Sequence, residues 1–423
     1  MTHSALSKLT ILPTTAALTG RVMPPGSKSI TNRALLVAAL AKGTSRLSGA
    51  LKSDDTRYMA QALRDMGVTI DEPDATSFIV TSDGRLKAPA APLFLGNAGT
   101  ATRFLTAAAA LVDGTVVVDG DEHMRKRPIL PLVEALTRLG VTITAPSGCP
   151  PVTIAGQGGF EGGLVEVDGG LSSQYVSALL MAGACARNPV DVVLTGQEIG
   201  ARGYVDLTLA TMRAFGAEVS EPASGGWRIA PTGYVATDYL IEPDASAATY
   251  LWAAEVLTGG AIDLGVPASA FTQPDAKAYE LIAAFPNLPA QIDGSQMQDA
   301  VPTLAVLAAF NRTPVRFTGI ANLRVKECDR VAALSQGLSR IRPGLGVEEG
   351  DDLLVASDPA LAGQTLPAEI DTFADHRIAM SFALAGLKIG GVTILDPACV
   401  AKTYPDYWRA LGSLGVRFEG EVP

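Results

Sequence analysis

Two short segments combine cations, hydroxyls and glycine in a way suited to holding small anions, and a third sets cations behind an aspartate. Pro25-Gly-Ser-Lys-Ser-Ile-Thr-Asn-Arg33 sets Lys28, Ser29 and Arg33 along one turn. Gly96-Asn-Ala-Gly-Thr-Ala-Thr-Arg103 does the same with glycines, and Asp375-His-Arg377 repeats the theme late in the chain. Each passes from polar residues straight into small apolar ones, the pattern of a loop entering a helix. Such an end offers unpaired N–H groups and the positive pole of the dipole, which favour anions. Ser172-Ser173-Gln174 adds two hydroxyls and an amide ahead of another apolar run. Arg125-Lys-Arg127, Lys326-Glu-Cys-Asp-Arg330 and Lys402 supply further cations. Any one of these is an ordinary cap or a solvated charge when taken alone. Their common phase within a repeat points instead to a polyanion.

Carboxylates near these cations are candidates for moving protons. Asp299 is read as opening a helix and Glu327 as lying in a dense charged turn, with Asp54, Asp55 and Asp244 as further possibilities. An ion-pair network is the simpler reading of each, since proton transfer needs an acid that faces substrate rather than an arginine. Two nucleotide motifs fail. Ser27 stands where a P-loop needs glycine before Lys28, and the Gly96 loop lacks the glycine offsets of a dinucleotide fingerprint.

The elements that must position these residues form an internal repeat. A polar start runs into an alanine-rich helix, then a strand, an amphipathic helix and a closing strand that opens with glycine. Starts fall at Gly26, Gly96, Ser172, Glu242, Gln298 and Asp375. Periodicity places the first helices at 32–41, 102–111, 247–257, 303–310 and 378–387. It places the second helices at 59–66, 132–139, 207–215, 332–339 and 407–414. The fourth copy is shortest, with the least distinct closing strand. Six units grouped three and three predict α/β architecture in two domains. The expected boundaries are 25–240 for the first, 1–24 plus 241–423 for the second, with a hinge near 20–26 and 236–244.

Composition limits the remaining choices. The 423 residues are 48% hydrophobic and 18% charged, with a net charge of −10, which argues for packed globular domains and against a broad basic face for nucleic acid. Four scattered cysteines (149, 185, 328 and 399) form no CxxC, and three histidines form no metal-site pattern. No apolar run reaches the ~18 residues of a membrane span, and the N-terminus lacks a signal-peptide core. A cytoplasmic monomer without metal or cofactor, and without nucleic-acid or membrane partners, is expected.

The Pro25–Arg33, Gly96–Arg103 and Asp375–Arg377 segments closely resemble signatures of the 5-enolpyruvylshikimate-3-phosphate synthase family of enolpyruvyl transferases. Asn322-Leu-Arg-Val-Lys-Glu-Cys-Asp-Arg330 and Ala401-Lys-Thr-Tyr-Pro-Asp-Tyr407 do so too. The matches run in order from 25 to 407. The resemblance implies a two-domain inside-out α/β barrel of six βαβαββ repeats. It implies transfer of the enolpyruvyl group of phosphoenolpyruvate to the 5-hydroxyl of shikimate 3-phosphate, with release of phosphate. Carried over by motif, Lys28, Ser29, Arg33, Ser172, Ser173, Tyr204, Asp299, Asn322 and Lys326 hold shikimate 3-phosphate. Lys28, Gly99, Arg127, Gln174, Arg330, His376, Arg377 and Lys402 hold phosphoenolpyruvate. Lys28, Asp299 and Glu327 move protons, and helix starts from both halves are expected to share one cleft.

Thr102, Phe104 and Ala201 depart from the family's common residues, so its response to the inhibitor glyphosate is not carried over; Cys328 replaces a commoner threonine, with no consequence expected. The nearest alternative is the sister transferase acting on UDP-N-acetylglucosamine, whose loop cysteine has no counterpart here. An RNA-terminal phosphate cyclase would want a basic groove. A non-catalytic relative would have lost Lys28, Asp299 or Glu327.

Overall fold

The computed structural model describes residues 7–168, 172–196, 202–223 and 225–423. Among them run twelve α-helices: α1 (Lys28–Leu40), α2 (Asp54–Asp65), α3 (Gly99–Ala108), α4 (Leu130–Arg138), α5 (Ser173–Gly183), α6 (Arg202–Ala214), α7 (Ala245–Thr258), α8 (Ala278–Ala283), α9 (Val301–Ala308), α10 (Arg330–Ile341), α11 (His376–Gly386) and α12 (Tyr407–Ser413). The chain divides into two compact units, Gly26–Glu242 and Met1–Pro25 with Pro243–Pro423, each with its own apolar core.

One sheet pattern recurs: a parallel pair followed by two antiparallel neighbours. In the 26–242 unit, Leu93–Phe94 runs parallel to Asp113–Asp119, which pairs antiparallel with Val152–Gln157, and that strand with Thr142–Thr144. Gly163–Asp168, Val190–Thr195, Trp227–Ile229 and Val219–Ser220 repeat the order. The sheet of the first repeat takes its leading strand from the far end of the unit, because Tyr234–Val235 and Tyr239–Leu240 run parallel to Ala41–Ser48.

The other unit shows the same permutation at its opposite end. Thr365–Ile370 is parallel to Gly390–Leu395, and the N-terminal strand Lys8–Leu12 slots between Gly390–Leu395 and Arg417–Gly420. Gln291–Asp293, Val315–Thr318, Asp352–Val355 and Gly346–Glu349 form a further copy. The fourth repeat is truncated. Its sheet is only Ala261–Asp263 beside Thr19–Arg21, and the Glu255 carboxylate accepts the Ile262 N–H at 2.7 Å where another strand would pair.

The first helix of each repeat is interior. All eight residues of α9, all ten of α3 and all eleven of α11 are buried, and a helix apolar all round belongs inside. Alanine and glycine let α3 pack closely on α5, and α9 on α11 and α7. The second helices are amphipathic: α2 buries Met59, Ala60, Ala62 and Leu63 and turns Arg57 and Gln61 to solvent.

The helices begin earlier than hydrophobic periodicity indicates. α1 starts at Lys28 rather than 32, because the Ser27 hydroxyl accepts from Ile30 N–H as an N-cap. α11 starts at His376 rather than 378, capped by Asp375. The polar first turns read as loop because they carry charge. Asp299 corrects the other way: α9 starts at Val301, and Asp299 lies in the turn before it.

Candidate active site

In the 26–242 unit the expected residues collect at the starts of α1, α3 and α5. Lys28 opens α1, and its Nζ lies 3.4 Å from the Asp55 carboxylate in the first turn of α2, both side chains buried. Gly99 opens α3, whose N-cap Ala98 offers no side-chain oxygen. Above it sits Arg127, whose Nη1 donates to Asn97 Oδ1 at 3.1 Å. Arg103 reaches back to the Gly99 carbonyl at 3.1 Å and to the Pro128 carbonyl at 3.0 Å. A Cβ on Gly99 would stand 2.8 Å from both guanidinium groups, so only glycine lets the two arginines close over this helix start. Ser172 caps α5 by accepting from Gln174 N–H. The Gln174 side chain then donates to Thr100 Oγ1 at 3.2 Å, tying the starts of α3 and α5 together. Ser173 is buried in the same turn.

Arg33 is placed differently from the residues around it. Its Nε donates to Thr208 Oγ1 at 2.7 Å, Nη1 to the Ser29 carbonyl at 2.8 Å, and Nη2 to Ser177 Oγ and the Tyr204 carbonyl. Its guanidinium lies 5.2 Å from the centre of the Phe104 ring. In this structure Arg33 braces α1 against α5 and α6, and Tyr204 meets it through backbone. Thr102 returns its hydroxyl to the Ala98 carbonyl and is fully buried beside Phe104 in α3. Ala201 lies outside the described residues.

In the other unit a single ion-pair network gathers Asp299, Lys326, Glu327, Arg330, Arg377 and Lys402. Arg330 is its hub, with a side chain 1% exposed. Its Nε donates to Asp375 Oδ2 at 2.7 Å, Nη1 to Asp299 Oδ1 at 2.9 Å and Nη2 to Glu327 Oε2 at 2.7 Å. Arg377 Nη2 holds the other Asp299 oxygen at 2.8 Å, and Lys326 stands 3.9 Å away. Lys402 Nζ lies 3.3 Å from Glu327 Oε1. Both candidate acids therefore face cations. Burial alone would lower the Arg330 pKa, but Asp375, Glu327 and Asp299 outweigh it and hold the guanidinium above its ordinary value. The network sets four cations against three carboxylates, which leaves it attractive to an incoming anion.

The remaining residues frame this network. Asn322 lies in the 3₁₀ turn Ala321–Val325, and its Oδ1 is a buried acceptor without a hydrogen-bond partner among the described residues. His376 is the first residue of α11, fully buried, with Nδ1 3.8 Å from Asp375 Oδ1. Burial pushes the Cys328 thiol up, with Asp375 adding to it, so it remains an unreactive thiol. Sequence reasoning assigned no role to Thr100 or to Tyr250, whose hydroxyl accepts from Arg377 Nη1 at 3.4 Å, and it named Asp55 only as one possible acid and Asp375 only as part of its triplet. The Asp375-His-Arg377 triplet and the Asp54-Asp55 pair carried the only visible signals. Among the described residues, no group of three or more His, Cys, Asp and Glu side chains is arranged to hold a metal ion.

Comparison with known proteins identifies the family. The family model for EPSP synthase (3-phosphoshikimate 1-carboxyvinyltransferase) matches residues 12–411. A 3-phosphoshikimate 1-carboxyvinyltransferase of Rhizobium etli is 74% identical over 418 residues, covering 99% of each chain. One from Pseudomonas syringae pv. syringae is 72% identical over 96% of this chain and 98% of the relative. An EPSP synthase structure from Acinetobacter baumannii superposes with a TM-score of 0.79 at 27% identity, covering 98% of this chain and all of that one. With a family match across nearly the whole length and relatives this similar, the chain belongs to the EPSP synthase family, the 3-phosphoshikimate 1-carboxyvinyltransferases.

Proposed function

We propose that this chain transfers the enolpyruvyl group of phosphoenolpyruvate to the 5-hydroxyl of shikimate 3-phosphate and releases phosphate. The observation that carries the reading is the Arg330 network, which binds the two candidate proton-transfer acids with the cations that would receive the donor. Ser29, Ser172, Ser173, Asn322 and Lys326 suit the acceptor's hydroxyls and phosphate. Gly99, Arg127, Gln174, Arg330, Arg377 and Lys402 suit the donor's carboxylate and phosphate. Arg33 and Tyr204 support the acceptor site through the packing of α1 on α5 and α6, and His376 supports the donor site from within α11.

The chemistry follows from exchange of partners. An anion that takes Arg330 and Lys402 competes with Glu327 for the same N–H groups, and a carboxylate released from cations becomes a stronger base. Protonation of the donor's methylene while the acceptor oxygen attacks C2 gives a tetrahedral ketal. Removing a methyl proton then expels phosphate with C–O cleavage. Glu327, with Lys28 or Asp299 as partner, suits both proton transfers. Cations fixed before substrate arrives stabilise the charge without reorganising. This account uses no metal or nucleotide. No helix among the described residues is long and apolar enough to cross a membrane, and we take the working enzyme to be a cytoplasmic monomer.

The test is phosphate release from phosphoenolpyruvate with each of two acceptors. The proposal expects turnover with shikimate 3-phosphate and none with UDP-N-acetylglucosamine. The reverse result would reassign the acceptor.

A further inference from the structure

Two consecutive residues without glycine's freedom sit in the left-handed region just before α11. Phe373 has φ +52° and Ala374 has φ +54°. L-residues adopt this region at a cost, and the strain persists only where surrounding structure over-determines it. Here it is held at both ends. Asp371 Oδ1 accepts the Phe373 N–H at 2.8 Å, and the Thr372 carbonyl accepts the Asp375 N–H at 2.8 Å. The turn delivers one side chain, the carboxylate of Asp375, which is fully buried.

Besides accepting from the Cys328 thiol at Oδ2 at 3.6 Å, that carboxylate does two things. Oδ1 accepts the Arg377 N–H at 2.8 Å and so caps α11. Oδ2 takes Arg330 Nε at 2.7 Å, while Oδ1 lies 3.4 Å from Nη2. Arg330 is thereby gripped along its Nε edge. Nη1 points the other way, to Asp299, and Nη2 makes its short bond to Glu327 and its long one to Asp375. Those two acids are partly accessible at 15% and 7%, whereas Asp375 is at 0%. An incoming anion can therefore displace the first two but cannot reach the third.

We propose that Asp375 is a positioning residue for the reaction. Aimed by the strained Phe373–Ala374 turn, it is the permanent counter-ion that fixes Arg330 while Asp299 and Glu327 exchange with the donor's anions. The inference rests on the function proposed above. It assigns Asp375 to the donor alone, so acceptor recognition should not depend on it.

Asp375→Asn keeps the shape and the cap acceptor and removes the charge. Steady-state phosphate release is measured while each substrate is varied, together with the thermal midpoint. The expected result is a KM for phosphoenolpyruvate raised about tenfold or more, and a KM for shikimate 3-phosphate within about threefold. The midpoint should stay within about 4 °C of the wild type. Unchanged constants for both substrates would overturn the proposal, as would equal losses for both that track a fallen midpoint. If the asparagine variant does not fold, Asp375→Glu keeps the charge but displaces it by one methylene, and a wild-type KM for phosphoenolpyruvate there would overturn it. Loss of fold in both variants would make Asp375 an anchor of the fold and remove the proposal. An inactive wild-type chain would instead remove the functional reading itself.

Discussion

Gly99 is the position where one added carbon should do most to the donor and least to the fold. Its backbone is helical, so alanine is conformationally acceptable and gains up to about 1 kcal/mol of helix propensity. The new Cβ, however, would lie 2.8 Å from Arg103 Nη1 and from both terminal nitrogens of Arg127, where ordinary contact begins at 3.4 Å. Both guanidiniums must retreat by about half an ångström or more. Arg103 is held by the carbonyls of Gly99 and Pro128 and has little room. Arg127 gives way instead, breaking its 3.1 Å bond to Asn97. A charge-assisted hydrogen bond to a ligand is worth about 1.5–3 kcal/mol. Gly99→Ala should therefore raise the KM for phosphoenolpyruvate about 10- to 100-fold. The KM for shikimate 3-phosphate should stay within about threefold, and the thermal midpoint within about 4 °C. Phosphate-release kinetics and a melting curve on the same preparation check all three. A donor KM within about threefold of wild type would refute the idea that Arg127 over α3 holds the donor.

Further outcomes follow from the same geometry. Glu327→Gln should abolish turnover while shikimate 3-phosphate binding, read by calorimetry, stays within about tenfold; near-normal rates would remove Glu327 from proton transfer. Asp55→Asn takes a counter-charge from buried Lys28 and should cost about 3 kcal/mol in urea unfolding, and a loss under about 0.5 kcal/mol would show the pair to be incidental. Burial pushes the Tyr250 phenol up to about 12 from an ordinary 10. It stays protonated in the folded chain after it would ionise in the unfolded one, so its contribution is intact below pH 10 and is lost as pH climbs towards 12. Tyr250→Phe should remove about 2–3 kcal/mol of that alkaline loss. An unchanged stability profile between these limits would contradict the assignment.

The parts of the fold that were legible in sequence are those set by local pattern. Inner helices such as α9 consist of apolar residues uninterrupted by charge, and helices of this kind made the six repeats countable. Strands of two or three residues, such as Leu93–Phe94 and Val219–Ser220, leave no period to read. The pairing of Lys8–Leu12 with residues near 393 and 418 is a non-local event that no window contains. The truncation of the fourth repeat showed in its short length and its weak closing strand.

For the candidate site, motif and charge nominate residues but not their partners. Arg33 looks like a ligand cation on the surface of its motif, yet Thr208, Ser177 and two carbonyls occupy it. Asp299 and Glu327 were legible as acids. That one arginine holds both depends on a turn before α9 meeting the start of α10, which composition cannot encode. Asp375 was hidden for the same reason, since its partner Arg330 lies 45 residues earlier.

The most direct measurement of the central claim follows the oxygen that bridges carbon and phosphorus in phosphoenolpyruvate. With that oxygen labelled as the heavy isotope, and shikimate 3-phosphate as acceptor, addition followed by elimination at carbon sends all of the label into inorganic phosphate. Label retained in the organic product would mean cleavage at phosphorus and would contradict the account.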